Sequence, residues 1–327
     1  MISREELISQ PKLLEQKATG CLIGLAIGDA LGDLGRTQEY RQRFGIITSL
    51  YEGAKSTDDT EFGLLTAKTL IDNEGNLSRE NVLASWKKYI LEQGGVNDRG
   101  GRPLYGAIAN IARGIEPPLS GRDNVMNDDD GAAMRIAPIG IFCAGEPEKA
   151  AAMAEIEAEI SHSEDGIWAA QAVAASISVA MVNGSTDEII NAGIQFIPED
   201  SWLGRSMAHV IDLWNQYSDI EDCWEKLHSD LWTPAHSVSP EAIPQTYAII
   251  HYTKTIFKKG MFWSANFGRD ADTITAIVGA VSGARHGFQA IPADWADQVR
   301  KPAGVCLNFT RNEDIILLAH QLTEIMQ

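Results

Sequence analysis

Two short acidic strings hold the side chains best suited to chemistry: Thr57-Asp58-Asp59-Thr60 and Asp270-Ala271-Asp272-Thr273. Each follows a polar or glycine-containing stretch and runs straight into an apolar segment of helical character. A single Asp or Thr at such a place is an ordinary helix cap, and negative charge near a helix N-terminus is favourable. A cap needs one such residue, whereas each string offers several oxygen-bearing side chains. If the two helix starts face each other, four carboxylates and two threonine hydroxyls converge. Those carboxylates repel, and some must keep a proton at neutral pH unless a divalent cation sits among them. An all-oxygen donor set selects magnesium, manganese or calcium over zinc or copper, and four carboxylates can hold two such ions.

The elements that position these strings must bring them together across more than two hundred residues. Apolar residues recur at helical spacing over 13–31, 61–71, 79–91, 150–160, 167–182, 207–217, 242–255, 274–287 and 314–326, and 187–196 suits a further helix. Strand alternation is scarce, with 45–51 the best candidate. Gly, Pro, Asn and Asp gather in loops at 94–103, 117–130 and 232–240. The expectation is an all-α fold, a single compact domain over 1–327 with about a dozen helices around a central metal cleft. Gly20, Gly24, Gly28 and Gly32 are spaced by four, as are Gly279, Gly283 and Gly287. Each interior glycine costs a helix about 1 kcal/mol relative to alanine. That spacing sets them on one face, where missing side chains let another backbone approach. Such helices make rigid supports, and each abuts an acid: Asp29 lies within the first, and Asp270 opens the second.

Composition narrows the partners. A net charge of -18 argues against duplex nucleic acid or an anionic membrane, which need clustered Lys and Arg, but leaves room for small anionic ligands. Cys21, Cys143, Cys223 and Cys306 are scattered without C-x-x-C spacing and read as reduced thiols. The N-terminus is charged and lacks the apolar run of a signal peptide. The longest apolar runs, 21–27 and 274–281, fall short of a membrane span. A soluble cytoplasmic protein is expected.

Several segments taken together resemble a known family. They are Gly24-Leu25-Ala26-Ile27-Gly28-Asp29-Ala30-Leu31-Gly32, Ser56-Thr57-Asp58-Asp59-Thr60, Asp130-Gly131-Ala132-Ala133-Met134-Arg135, Gly268-Arg269-Asp270-Ala271-Asp272-Thr273 and Gly279-Ala280-Val281-Ser282-Gly283. In order and spacing, over about 18–295, they resemble the ADP-ribosylglycohydrolases, a family that includes the dinitrogenase-reductase-activating glycohydrolase. The resemblance implies an all-helical fold with a binuclear magnesium, or manganese, centre at the bottom of a cleft. It implies Thr57, Asp58 and Asp59 as ligands from one side and Asp270, Asp272 and Thr273 from the other. The implied reaction is hydrolysis of the bond between C1 of the distal ribose and a nitrogen or oxygen of the target. Such cleavage builds positive charge on the sugar. Metal ions can hold ribose hydroxyls and lower the pKa of a water, and Asp58, Asp59 or Asp270 can take its proton. Asp29, Asp130, Gly131, Met134, His162 and Arg269 are the expected substrate contacts.

The chain departs from the family pattern in three places. Arg269 replaces the second glycine of Gly-Gly-Asp-x-Asp-Thr, and either pairs with Asp270, binds an anionic part of the substrate, or points outward. Arg36 stands where many members carry a glutamate, the nearest glutamate being Glu39. The central loop reads Asn127-Asp128-Asp129-Asp130-Gly131 rather than Gly-Asn-Gly, which suits a sugar or cationic ligand better than a pyrophosphate. His236 is a further loop candidate, and Trp202, Trp224, Trp232 and Trp263 either pack or stack on a base. Arg135, inside an apolar run, needs a carboxylate partner, for which Asp130 and Asp29 are the candidates. The expected substrate is an ADP-ribosylated protein or, on the same fold, a ribosylated small molecule. A non-enzymatic relative would be expected to have lost metal ligands, and the set here is intact.

Overall fold

Glycine spacing decides the centre of the molecule. In the computed structural model, which describes residues 1–327, the Pro11–Arg36 helix runs antiparallel to the Ala271–His286 helix. The register is regular: Gly20 faces Gly283, Gly24 faces Gly279, Gly28 faces Thr275 and Gly32 faces Ala271. A methyl group on Gly28 would lie 2.5 Å from the Thr275 carbonyl carbon and 2.7 Å from Ala276 Cα. Backbone therefore packs directly on backbone, closer than any side chain would permit. The same register brings the Arg36 end of one helix beside the Asp270 end of the other.

The Pro11–Arg36 helix begins on a proline, whose missing N–H is harmless in a first turn. It is apolar and long enough to cross a membrane, because small residues bridge its short apolar runs. Yet 94% of its most apolar stretch is buried inside the protein. At the far end of the pair the buried Lys17 donates to the carbonyls of Ala284 and Arg285 at 2.9 and 2.8 Å, closing the last turn of the Ala271–His286 helix. A continuous core of 93 buried residues, from Leu7 to Met326, surrounds the two helices.

The fold is all-α as expected, with eighteen α-helices and three 3₁₀ turns. The excess over a dozen consists largely of pieces such as Arg4–Ile8, Gln38–Phe44, Leu119–Arg122 and Ala293–Val299, too short to show a period. The 187–196 segment is helical as Thr186–Ile194, started by a Ser185 capping box. The strand expected at 45–51 does not form. Ile47 instead pairs its backbone N–H and C=O with the side-chain amide of Asn266, both at 2.8 Å, which supplies what a neighbouring strand would. All four cysteines are buried and unpaired.

Candidate active site

The site starts from Asp29, one residue beyond a backbone contact of the central pair. Its fully buried carboxylate accepts from the Thr57 and Thr60 backbone N–H groups at 2.6 and 3.1 Å. It also accepts from the hydroxyls of Thr57 and Thr60 at 2.7 and 2.6 Å. Asp29 thus caps the Asp58–Asp72 helix from a neighbouring helix. Thr57 makes no cap bond of its own, and Asp270 makes none for the Ala271–His286 helix. Capping therefore does not account for the acidic strings. Their side chains face one another instead: oxygens of Asp58, Asp59 and Asp272 all lie within 4.8 Å of one another. Asp59 and Asp272 are 1% and 2% exposed, and Oδ1 of each has no hydrogen-bond partner. Bare carboxylate oxygens at this depth fit a hard divalent cation.

The electrostatics agree. Burial first, then the charges of Asp29, Asp272 and the other cluster acids, pushes Asp59 well above the usual carboxylate range. Burial and the Asp270 charge raise Asp272 to about 8. Burial raises Asp29 to about 7 despite its four hydrogen bonds. Asp270 behaves differently: burial pushes it up, but a hydrogen bond from His236 and the charge of Arg36 bring it down to about 2. His236 Nε2 lies 3.2 Å from Asp270 Oδ1, and that contact raises the histidine in turn. Arg36 reaches Asp272 at 2.5 Å, so the position that often carries a glutamate carries a cation. Glu39 is no substitute, since it is exposed in the first turn of the Gln38–Phe44 helix. Arg99, from the glycine-rich loop, donates to Asp33, Asp272 and Thr57 at 2.9, 3.2 and 3.3 Å.

These groups floor a cleft of about 420 Å³ whose wall includes Asp129, Asp130, Gly131, Met134, His236 and Thr273. The acidic loop is zipped to the histidine loop: Asp130 N–H donates to Ser237 O, and Ser239 Oγ donates to Asp129 O, both at 2.8 Å. Behind it runs a buried chain of polar contacts. His162 Nε2 meets Asp129 Oδ1 at 2.7 Å, and His162 Nδ1 meets Ser161 Oγ at 2.7 Å. Ser161 also accepts from Arg135, which pairs with Glu157 at 2.8 Å and donates to Gly131 O at 2.8 Å. A side chain on Gly131 would press to 2.9 Å from Asp129 Oδ1, so glycine there keeps the Asp129–His162 contact open.

Among the expected substrate contacts, Asp130, Gly131 and Met134 line the cleft. Asp29 and His162 stand behind it, 0% exposed, and act through Thr57 and Asp129. Arg269 turns away: it pairs with buried Glu241, donates to Thr233 O, and lies over the Trp232 ring. Its φ of 57° is left-handed, which explains why glycine suits the position. Arg135 is braced by Glu157 rather than by Asp130 or Asp29. None of the four tryptophans lines the cleft, and Trp224 and Trp263 pack on each other. Sequence reasoning missed Arg99. The available signal was a basic residue in a glycine-rich loop of a chain whose acids need counterions.

Comparison with known proteins bears on the family and the fold. A family model described as ADP-ribosylglycohydrolase matches residues 10–327. An uncharacterized protein of Archaeoglobus fulgidus is 29% identical over 299 residues, 88% of this chain and 92% of that one. The ADP-ribosyl-dinitrogen reductase glycohydrolase of Rhodospirillum rubrum is 25% identical over 306 residues, 88% of this chain and 91% of its own. The ADP-ribosylarginine hydrolase Tri1 of Pseudomonas putida is 24% identical over 317 residues, 88% and 76% of the two chains. A solved structure of an ADP-ribosylglycohydrolase-related protein complex shares the fold, with a TM-score of 0.70 at 20% identity over 97% of this chain and 100% of that one. Both acidic strings and the helices that carry them lie inside the matched span, and the chain belongs to the ADP-ribosylglycohydrolase family, hydrolases of the glycosidic linkages of ADP-ribose.

Proposed function

We propose that this chain is a magnesium-dependent hydrolase that cleaves the N-glycosidic bond between the ribose C1 of an ADP-ribosyl group and a nitrogen, with ADP-ribosylated arginine as the first substrate to test. The observation that carries the reading is the pair of buried, unpartnered oxygens, Asp59 Oδ1 and Asp272 Oδ1, on the floor of a sugar-sized cleft. Relatives named for ADP-ribosylarginine and for ADP-ribosyl-dinitrogen reductase support the choice of bond. Asp58, Asp59 and Asp272 would hold the cation, with Asp270 and Thr273 lining the same cleft and Thr57 at the start of the helix that carries Asp58 and Asp59. When bound, a magnesium ion grips ribose hydroxyls and makes a nearby water more acidic.

The chain's own residues then have separable tasks. Asp58, whose side chain is 13% exposed, reaches water at the cleft surface and is assigned as proton acceptor. Asp270, held at about 2 and occupied by His236 and Arg36, is the poorest base of the three candidates. Water oxygen bonds to C1 as the C1–N bond breaks, and the bond electrons pass to the leaving nitrogen. An arginine substrate is already a guanidinium, so it departs as a neutral guanidine and takes up the proton that water lost to Asp58. Asp129, fixed by His162, and Asp130 present acceptors to hydroxyl groups on the cleft wall.

Those two wall carboxyl groups also favour a second reading, a hydrolase of compact ribosylated small molecules, because they suit sugar hydroxyls and offer a diphosphate no cation. One experiment separates the two. Purified protein with magnesium is given ADP-ribosyl-arginine or an uncharged N-riboside, and free ADP-ribose or ribose is measured. Release of ADP-ribose that stops with EDTA supports the first reading, and release of ribose alone supports the second. Turnover that survives EDTA, or survives Asp272→Ala, sinks both.

A further inference from the structure

Arg269 stands where glycine would sit without strain, at a φ of 57°. A bulky residue keeps such a backbone only where its surroundings hold it there. The contacts of its side chain all lead to one place, the start of the 232–239 loop. The guanidinium makes two bonds to the buried Glu241 carboxylate, donates to Thr233 O at 2.6 Å, and lies 5.5 Å from the centre of the Trp232 ring. Glu241 Oε2 also accepts from the Thr233 backbone N–H at 2.7 Å and from its hydroxyl at 2.8 Å. Thr233 is thus tied by N–H, hydroxyl and carbonyl to an ion pair whose acid is 0% exposed.

The other end of the loop is fastened by backbone. Ser237 O accepts from Asp130 N–H at 2.8 Å, Val238 bridges Asp129, and Ser239 N–H donates to Asp128 O at 2.9 Å. Between the two fastenings lie Pro234, Ala235, His236 and Ser237, and all four line the cleft. This stretch belongs to no helix or strand, so its two ends decide where it stands. Of the four, His236 carries the longest polar side chain, and that side chain is 41% exposed. A glycine at 269 could make none of the guanidinium bonds, so the front fastening is a property of this chain and not of the acidic motif. We propose that Arg269 is a positioning residue: it clasps the front of the 232–239 loop to Glu241, so that His236 is held as a substrate contact on the cleft wall.

The proposal rests on the hydrolase reading above, and one of its two readouts needs no turnover. Amide exchange of the 233–239 segment is followed by mass spectrometry, and kcat and KM are measured with magnesium on ADP-ribosyl-arginine and on an uncharged N-riboside. Arg269→Gly should speed exchange of that segment about tenfold, the factor that one lost bond to a charged group is worth. It should raise KM by a similar factor with kcat little changed and manganese affinity spared. His236→Ala should raise KM without moving exchange, and adding Arg269→Gly to it should raise KM no further. Thr233→Val removes the hydroxyl bond, keeps the Arg269–Glu241 pair, and should move exchange and KM the same way by a smaller factor. Exchange at the parent's rate in a folded Arg269→Gly protein would overturn the proposal, as would KM effects of Arg269→Gly and His236→Ala that multiply. Should the glycine variant fail to fold by circular dichroism, Thr233→Val decides, and exchange at the parent's rate in it overturns the clasp. A parent that turns over neither substrate removes the hydrolase reading and with it the substrate role of His236, while the exchange result still decides the clasp.

Discussion

Replacing Gly28 with alanine tests the central pair and the site together. The new methyl would lie 2.5 Å from the Thr275 carbonyl carbon and 2.7 Å from Ala276 Cα, both backbone atoms that no rotamer change can move. Ordinary contact therefore requires the helices to part by about 1 Å, given that carbon atoms pack at roughly 3.5–4.0 Å. The Ala271–His286 helix has 16 residues, so the contact is roughly 24 Å long and, at one helix spacing, about 8 Å wide. Parting by that amount opens about 190 Å³, which at about 24 cal/mol per Å³ costs about 4–5 kcal/mol. Alanine returns about 1 kcal/mol of helix propensity. The net loss, about 3–4 kcal/mol, is a large part of a typical stability of roughly 5–15 kcal/mol. Gly63→Ala is the control, because its methyl meets nothing closer than 3.8 Å. Urea unfolding should show the loss for Gly28→Ala and none for Gly63→Ala. Manganese affinity should fall in the first variant, since Asp29 holds Thr57 from the helix that moves. A Gly28→Ala protein as stable as the parent would refute the idea that backbone contact sets this spacing.

Three further outcomes follow. Asp272→Asn removes a bare ligand oxygen and should weaken manganese binding beyond the roughly 10–100-fold that losing a supporting contact costs, and calorimetric affinity close to the parent's would contradict the ligand assignment. Metal-free protein should lose stability as pH rises from about 5 to about 7.5, because Asp59, Asp130, Asp29 and Asp272, raised by burial, keep protons that unfolded aspartates release near about 3.9. Each retained proton gives a slope of up to about 1.4 kcal/mol per pH unit; His236, raised, adds to it, while His251 and His286, lowered by burial, oppose it. Magnesium should flatten that slope, and a metal-free melting temperature that climbs over the same window would reverse the argument. Arg269→Ala strips buried Glu241 of its ion pair and should cost about 3 kcal/mol while sparing manganese affinity, and a drop in affinity with stability intact would place Arg269 in the site after all.

The parts of this protein legible in its sequence are those with a repeating or doubled signal. Glycines spaced by four announce a backbone contact wherever they sit, and two acidic strings on helix starts announce a place where their carboxylates meet. What escaped has no period. Arg99 meets Asp272 from 173 residues away and looks like any loop arginine until the fold closes. Arg135 had many acids to choose from, and only packing selects Glu157. Asp29 reads as a site residue because it neighbours the motif, yet its hydrogen bonds spend it on holding a helix start. Helices such as Leu119–Arg122 complete barely one turn, and propensity cannot register them.

The pairing of the two central helices has a consequence for biosynthesis. Lys17 and the Ala284 carbonyl that it meets are separated by 267 residues. At roughly 5–20 residues per second, a ribosome needs on the order of tens of seconds to deliver the partner. Throughout that interval the nascent chain displays its most membrane-like segment, with a strip of naked backbone that nothing made so far can cover. Until the 271–286 segment is made, the glycine face of the first helix has no backbone to pack on.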